Sequence, residues 1–490
     1  MNKHNESKQS SLSTNAMILT FSKILNTLIA LVTSMLLARF RTLEEYGTYS
    51  QILTVVGLTI SVVMLGLPNS LNLFIANANN NKERDSFLSI YFSLGTLLSI
   101  LAGAVLVVAC PLICLYYKND GIKTFTYVLA ILPWTHVITT SISNMLVATN
   151  NTKRLLIYNL LRSLSLLLVI VFVRVIDENF QFYMALYVLV EIAFSLWVYY
   201  EARRLMDKIY FKPDLKLLKR ILAFSIPMGI ASAVGTLNVY LDQLMIGFYF
   251  DTETVAVYTN AAKELPFNLI ATAFTAVLVP HMARQFREGK NKNAMQTWSD
   301  AIEFNTVILS FCSAACFVFA PQIMTILYSE KYLTGVGVFR VYALVLLIRI
   351  TYFGMALNAL GKSKYIFYSS IATLLINIIL NYFMINVLGS VGAALATLIS
   401  MALVALFQLI LTARLLKIPI RDVFPWEKVG KIILTNIMWA VVAFVLLQIF
   451  NIGTTLNDIA VAIVIGIAFL VGYGLFYKKY MVKLYKKIGR

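Results

Sequence analysis

The sequence predicts an all-α integral membrane protein: fourteen transmembrane helices, twelve of them in two parallel six-helix repeats forming N- and C-lobes, with two extra helices at the C-terminus. Three observations predict it. Hydrophobic residues make up 59% of the 490 and charged residues only 13%, against about a quarter charged in soluble domains. Long apolar runs follow one another with short polar breaks between them. The front half also reads over again in the back half. Residues 19–22 (LTFS) open the first run and 222–225 (LAFS) the seventh, while 146–153 (LVATNNTK) and 357–364 (LNALGKSK) each close the fourth helix of a repeat.

The runs of the first repeat lie near residues 16–38, 47–68, 87–111, 124–147, 155–176 and 181–200. Those of the second lie near 222–250, 255–280, 301–328, 333–358, 365–387 and 389–414, and two more follow at 431–451 and 456–477. Each reaches the roughly 20 residues that cross a hydrocarbon core, and continuous rather than alternating runs exclude a β-barrel. The polar first 15 residues lead into a full-length run with no small-residue cleavage site, so the first helix is expected to stay in the protein. The expected division is an N-lobe over 1–200, a cytoplasmic linker over 201–220, a C-lobe over 221–414, and the last two helices with a basic tail over 415–490. Six spans separate the copies, so both keep one orientation. A duplicated bundle of this kind suggests two lobes rocking about a central site, the design of many secondary transporters.

Orientation follows from the basic residues. With the N-terminus inside, inner segments hold 30 of the 41 lysines and arginines, outer loops 6 and spans 5. The positive-inside rule therefore places both termini in the cytoplasm. It also accounts for the net charge of +18, whose dispersal among inner loops argues against a nucleic-acid partner. The linker carries Arg203, Arg204, Lys208, Lys212, Lys216, Lys219 and Arg220, which serve either as a topology signal or as a hold on anionic headgroups, each cation contributing roughly 1 kcal/mol.

Charges inside spans mark candidate sites, because each costs about 2.5 to 3.5 kcal/mol at mid-membrane and must pair or line water. The cations are Lys23, Arg162, Lys263, Arg340 and Arg349; the acids are Glu191, Asp242 and Glu264. Reflection about the turn near Asp177 brings Arg162 and Glu191 to one depth, a candidate ion pair. Reflection about Thr252 does the same for Asp242 and Lys263, with Glu264 alongside and Pro266 placed to kink the eighth helix. Structural and functional roles are open for both pairs. Arg349 meets no carboxylate by the same construction, so it is expected to face a water-filled cavity and an anion, phosphate matching its planar fork. Arg340 sits about half a turn from it. Lys23 is shallow enough to snorkel to the inner interface and completes the set of cationic candidates. Five cations against three acids favour an anionic cargo.

Other signals are weaker. Cys110, Cys114, Cys312 and Cys316 pair at four-residue spacing as small apolar residues without further zinc ligands. His136 is read as a packed or hydrogen-bonded residue rather than a proton relay. Ser370, Thr373, Asn377 and Asn381 form a polar stripe read as interhelical glue in preference to a sugar-contacting surface. Gly361-Lys362-Ser363 resembles the end of a phosphate-binding loop, but the required earlier glycine is Ala356. No catalytic, metal or cofactor site is expected.

The stretches from Leu37 (LARFRTLEEYGTYS), Leu357 (LNALGKSKYIF) and Leu388 (LGSVGAALATLIS) resemble the oligosaccharide and polysaccharide-repeat flippases, Wzx-type, of the multidrug/oligosaccharidyl-lipid/polysaccharide exporter superfamily. The resemblance covers about residues 16–414, and the prolines at 266 and 280 are similar to those in the eighth helix of lipid II flippases. It implies a pair of six-helix lobes alternating between inward- and outward-open, carrying a polyprenyl-diphosphate-linked oligosaccharide to the outer leaflet of a bacterial plasma membrane. Lys263 and Arg349 are then first choices for the diphosphate, spans thirteen and fourteen extend a groove for the lipid tail, and the chain is expected to act as a monomer alongside a polymerase and glycosyltransferases. The GSVGAA motif has no counterpart at the start of the sixth span, so roles do not copy between lobes. Two alternatives stand beside this: a cation-coupled multidrug exporter, disfavoured by the basic charge count, and a membrane polymerase or glycosyltransferase, disfavoured by the short outer loops.

Overall fold

The computed structural model describes residues 2–488 apart from 65, 79, 211–213 and 264, and its regular structure is helical throughout, with no strand among the described residues. Packing divides the chain into two compact units, Met1–Ala256 and Val257–Arg490.

The first unit contains α1 (Asn2–Phe40), α2 (Leu43–Val63), α3 (Leu67–Ala76), α4 (Asn81–Tyr117), α5 (Thr126–Ala148), α6 (Thr152–Val175), α7 (Phe180–Leu205), α8 (Leu215–Tyr249) and the start of α9 (Thr252–Ala261). Thr42 and Glu45 form a capping box at the head of α2, each side chain bonding the other's backbone N–H. The second apolar run ends in a bend at Gly66, whose φ of 72° is left-handed. A Cβ there would lie 2.3 Å from the Ser225 carbonyl and 2.4 Å from the Gly229 amide. Glycine is thus required twice, for the turn and for the approach of the α8 backbone. Below it Phe74 stacks on Phe87 at 5.1 Å, and both join a core with Leu71, Tyr91 and Ile142.

α8, expected from the sequence to open a second repeat, packs on α2, α3 and α4. Its polar positions meet theirs: Thr54 Oγ1 donates to Gln243 Oε1 at 2.7 Å and the Tyr116 hydroxyl to the Leu244 carbonyl at 3.1 Å. The boundary drawn by packing therefore lies within α9, some way beyond the 201–220 segment read from the sequence as a linker.

The second unit holds the end of α9, α10 (Asn268–Arg287), α11 (Asn291–Val318), α12 (Ala320–Tyr328), α13 (Val336–Val345), α14 (Met355–Ala359), α15 (Ser363–Leu416), α16 (Ile420–Val423), α17 (Trp426–Ile449) and α18 (Leu456–Ile488). α11 packs on α10, α13, α17 and α18. Its buried Trp298 donates to Thr351 at 2.8 Å. Its buried Glu303 pairs with Lys428 of α17 and accepts from the Tyr480 hydroxyl of α18 at 2.8 Å. Asn436 of α17 adds bonds to Ser310 and Tyr473 at 2.8 and 3.0 Å.

Eleven helices among the described residues are long and apolar enough to cross a membrane. The longest, α15, spans 54 residues and contains Gly389 at φ 61° and ψ −142°, outside helical geometry. Asn377 on one side of it bonds Thr397 on the other at 3.2 Å, whereas a straight helix would hold them about 30 Å apart. The chain therefore doubles back at Gly389, and the two runs read at 365–387 and 389–414 are antiparallel partners. Asn377 and Asn381 are buried in that contact, the glue expected of the stripe. Other runs are interrupted as well, that at 301–328 at Phe319 between α11 and α12 among them. The run at 255–280 breaks between α9 and α10, where Pro266 has no N–H to donate and its ring blocks the preceding turn. The run at 333–358 begins in a 3-10 turn, forms α13, loosens into tight turns over 346–351 and ends in α14.

Candidate functional site

A polar cavity of about 580 Å³ lies in the first unit between α1, α5 and α6. α1 contributes Ser22, Lys23 and Asn26, spaced so that one helical face carries them. α5 contributes His136, Thr140 and Ser143, and α6 Asn159 and Arg162, again at three- and four-residue intervals. The walls are tied together by their own polar groups: Asn159 Nδ2 donates to Ser22 Oγ at 3.3 Å, and the Ser163 hydroxyl bonds Asn26.

Arg162 Nη2 donates to Glu191 Oε1 at 2.7 Å, and the Glu191 side chain is 0% exposed against 28% for Arg162. The reflection about Asp177 thus names two residues that the structure brings together. The pair is incompletely bonded, since Arg162 Nε and Glu191 Oε2 are buried without a hydrogen-bond partner. His136 Nε2 is a third such atom, so its expected hydrogen bond is missing at that nitrogen. Lys23, read as a snorkelling side chain, is exposed and lines this cavity.

The remaining candidates are distributed otherwise. Asp242 is buried on α8 in the first unit, while Lys263 belongs to the second, in the break between α9 and α10. Glu264 lies outside the described residues. Lys263 borders a small pocket with Leu265, Cys316, Phe339, Tyr342 and Leu346. Arg349 is exposed in the tight turns after α13, its amide bonding the Val345 and Leu346 carbonyls. Arg340 has an engagement that charge counting cannot find: its Nε donates to the Phe317 carbonyl at 3.2 Å, and its guanidinium lies 5.5 Å from the centre of the Phe317 ring. Sequence reasoning also passed over Asn26, Thr140, Ser143 and Asn159. Their signal is uncharged polar residues at helical spacing on three successive faces, which a search for charges does not register.

A membrane-embedded helix bundle with a cationic, hydroxyl-rich cavity is suited to a large polar anion. Residues 12–286, which include every residue lining this cavity, match the family described as "Polysaccharide biosynthesis protein". The chain belongs to that family. It is 21% identical over 197 residues to the capsular polysaccharide biosynthesis protein CapF of Staphylococcus aureus, covering 39% of this chain and 50% of that protein. With the probable low-salt glycan biosynthesis flippase Agl15 of Haloferax volcanii it shares 21% over 236 residues, 48% of this chain and 49% of the other. The chain spans about half the length of these curated relatives.

Among solved structures, the lipid II flippase MurJ in an inward-closed conformation superposes with a TM-score of 0.73 at 18% identity, covering 95% of this chain and 100% of that one. An inward-facing multidrug resistance MATE transporter of the MOP superfamily gives 0.65 at 15%, covering 80% and 94%. At these identities the likeness is one of fold. The family and the membrane-length helices together make this a multi-pass membrane protein, with a fold like that of these flippases and transporters.

Proposed function

We propose that the protein is a flippase that moves a polyprenyl-diphosphate-linked oligosaccharide, such as a capsule, O-antigen or exopolysaccharide repeat unit, from the inner to the outer leaflet by alternating access. The observation that carries this reading is the polar cavity with Lys23 and Arg162 on its wall, between helices long and apolar enough to cross a membrane. Such a cargo has three parts with different needs. Its prenyl tail stays in hydrocarbon, its diphosphate seeks cations, and its sugars seek hydroxyl and amide groups.

In this reading fourteen crossings form the working unit, with the interrupted runs at 255–280 and 333–358 counted as spans and α15 as two. Lys263 and Arg349, each set where a helix is broken, are the second unit's phosphate ligands; Arg340 assists, while Asp242, Glu264 and Glu191 balance charge. An apolar cavity of about 240 Å³ between α11, α17 and α18, with Phe311, Trp439, Ala443 and Leu470 among its lining, accepts part of the tail. The protein sits in a bacterial plasma membrane with both termini cytoplasmic, works as a monomer without a cofactor, and delivers to a polymerase what glycosyltransferases assemble inside.

The multidrug-exporter alternative shares the fold, but an exporter of cationic drugs calls for surplus acid in its cavity. Here the surplus is basic. Lys23→Ala, Lys263→Ala and Arg349→Ala should each abolish surface glycan export and leave lipid-linked precursor inside, with the protein still in the membrane at normal abundance. Wild-type export from all three variants would overturn the assignment.

A further inference from the structure

We propose that a pocket at one end of the first unit, between the start of α2, the 3-10 turn Asp120–Phe125 and the start of α7, is a saccharide site that takes one uncharged sugar ring. With both termini cytoplasmic, this is the outer end. The inference rests on the flippase reading and adds to it a place that holds part of the glycan after crossing, separate from the cavity between α1, α5 and α6.

The pocket measures about 310 Å³, within the range of about 300–1,000 Å³ usual for small-molecule sites. α2 lends Glu44, Glu45 and Thr48 from its first two turns. Thr124 comes from the 3-10 turn, and Asn179 and Gln181 come from the head of α7. Phe125 and Phe180, 5% and 4% exposed, line it edge to face with their ring centres 5.3 Å apart.

Several of these polar groups are held in place by bonds to the protein, with capacity left over. Glu45 Oε2 accepts from the Thr42 amide at 3.0 Å, and Oε1 has no partner among the described residues. Asn179 Oδ1 caps α7 by accepting from the Phe182 amide at 2.9 Å, which leaves its Nδ2 hydrogens. Thr48 is 4% exposed; its hydroxyl accepts from Asn119 Nδ2 at 2.9 Å and gives its own hydrogen to no described residue. Behind it the buried Asn119 is fixed on both sides, donating to Gln51 Oε1 at 2.7 Å and accepting from the Gly121 amide at 2.9 Å. The side chains of Glu44 and Gln181 are exposed and bond no described residue.

The open capacity is mixed, acceptors on Glu44 and Glu45 and hydrogens on Thr48, Asn179 and Gln181, and this separates the candidate ligands. A phosphate or a uronic acid would bring negative charge to a lining with two carboxylates and no lysine or arginine. Arg41 lies nearby, its Nη1 donating to the Glu178 carbonyl at 3.1 Å, but it is not part of the lining. A metal ion would meet too few ligands, since no group of three His, Cys, Asp or Glu side chains gathers among the described residues. A lysine or arginine from a partner protein brings donors alone and leaves the three hydrogen-bearing side chains unanswered. Sugar hydroxyls both give and accept, and the C–H face of the ring has the two phenylalanines to pack on. The lining is opposite in sign to the cavity with Lys23 and Arg162, so it receives sugar and turns the diphosphate away.

The test uses the purified full chain in lipid nanodiscs, with binding read by saturation-transfer NMR. The probes, at millimolar concentration, are the methyl glycosides of glucose, galactose, mannose and N-acetylglucosamine, together with methyl glucuronide and tri-lysine. At least one neutral glycoside should bind, roughly tenfold or more tightly than the glucuronide. Gln181→Ala should weaken it about fivefold, the change expected for one lost hydrogen bond. The double variant Glu44→Gln/Glu45→Gln keeps an oxygen for the Thr42 amide. It should weaken the neutral glycoside about tenfold and bring the glucuronide to within about threefold of it. Equal wild-type affinity for neutral glycosides and glucuronide would overturn the proposal without any variant. So would binding of tri-lysine in place of all four neutral glycosides, or glycoside binding that neither variant changes. A C55 prenol and the C55 prenyl diphosphate in the same nanodiscs test the flippase reading separately. If the diphosphate outbinds the prenol and no glycoside binds, the saccharide site fails and that reading stands; if the diphosphate does not outbind the prenol, that reading fails, and glycoside binding weakened by both variants still supports the site.

Discussion

Arg162 and Glu191 carry opposite charges in a place where neither is tolerated alone. Removing either partner strands a charge that is fully buried in the case of Glu191, and breaking a buried pair typically costs about 3–5 kcal/mol. Arg162→Met should therefore lower the unfolding temperature sharply, and adding Glu191→Met should restore most of the loss, because apolar residues of similar volume replace a buried pair at little net cost. Thermal unfolding of the two single variants and the double gives the coupling directly; additive losses would mean that the two side chains do not depend on each other. This contact was legible in the sequence because antiparallel neighbours on a short loop fix relative depth, and depth is most of what a pairing needs. Arg340 was not legible in the same way. Its partners are a backbone carbonyl and an aromatic ring at Phe317, and neither leaves a trace in a count of charges.

Helices show the same division between what a pattern fixes and what it leaves free. Apolar length tells how many times the chain can cross lipid, and it located the run at 389–414 and its partner at 365–387. It does not say where a helix must break, since a break depends on single residues. Gly389 is such a residue: φ 61° with ψ −142° is a conformation essentially reserved for glycine. Three residues on, a Cβ at Gly392 would sit 2.0 Å from the Met384 carbonyl. The GSVGAA motif that carried part of the family resemblance is therefore the sequence of a tight reversal between two membrane helices. Gly389→Ala should cost about 1–3 kcal/mol, read as a lower unfolding temperature and weaker protection of the Asn377–Thr397 contact in hydrogen exchange. A substitution without effect would mean that the reversal tolerates a side chain, and that Gly392 alone sets it.

On the scale of the whole molecule, the halves read from the sequence and the units drawn by packing do not coincide. The sequence reading starts a second repeat at the head of α8, but α8 is bound to α2, α3 and α4, and the chain enters its second unit only within α9. Similar strings in two halves of a sequence could not reveal this, because they carry no information on which surfaces bury one another. The basic segment after α7 is held by the first unit at its start. Asp85 of α4, 2% exposed, accepts from the backbone amides of Asp207 and Lys208 at 2.8 and 3.1 Å, and Ser89 accepts from the amide of Tyr210 at 3.1 Å. These bonds hold residues 207–210 on the first unit, although their side chains are largely exposed and Lys208 is a site for trypsin. A protease needs the backbone released, so cutting should track the free energy of local opening. Asp85→Ala removes the acceptor for two amides and should speed cleavage after Lys208 by roughly tenfold or more, the change expected for losing one to two hydrogen bonds to a charged group. Asp85→Asn keeps an acceptor oxygen in place and should stay near the wild-type rate. If both variants were cut at the wild-type rate, mapped by mass spectrometry of the fragments, the anchoring of the linker would not depend on Asp85, and freedom of the chain between the repeats would begin directly after α7.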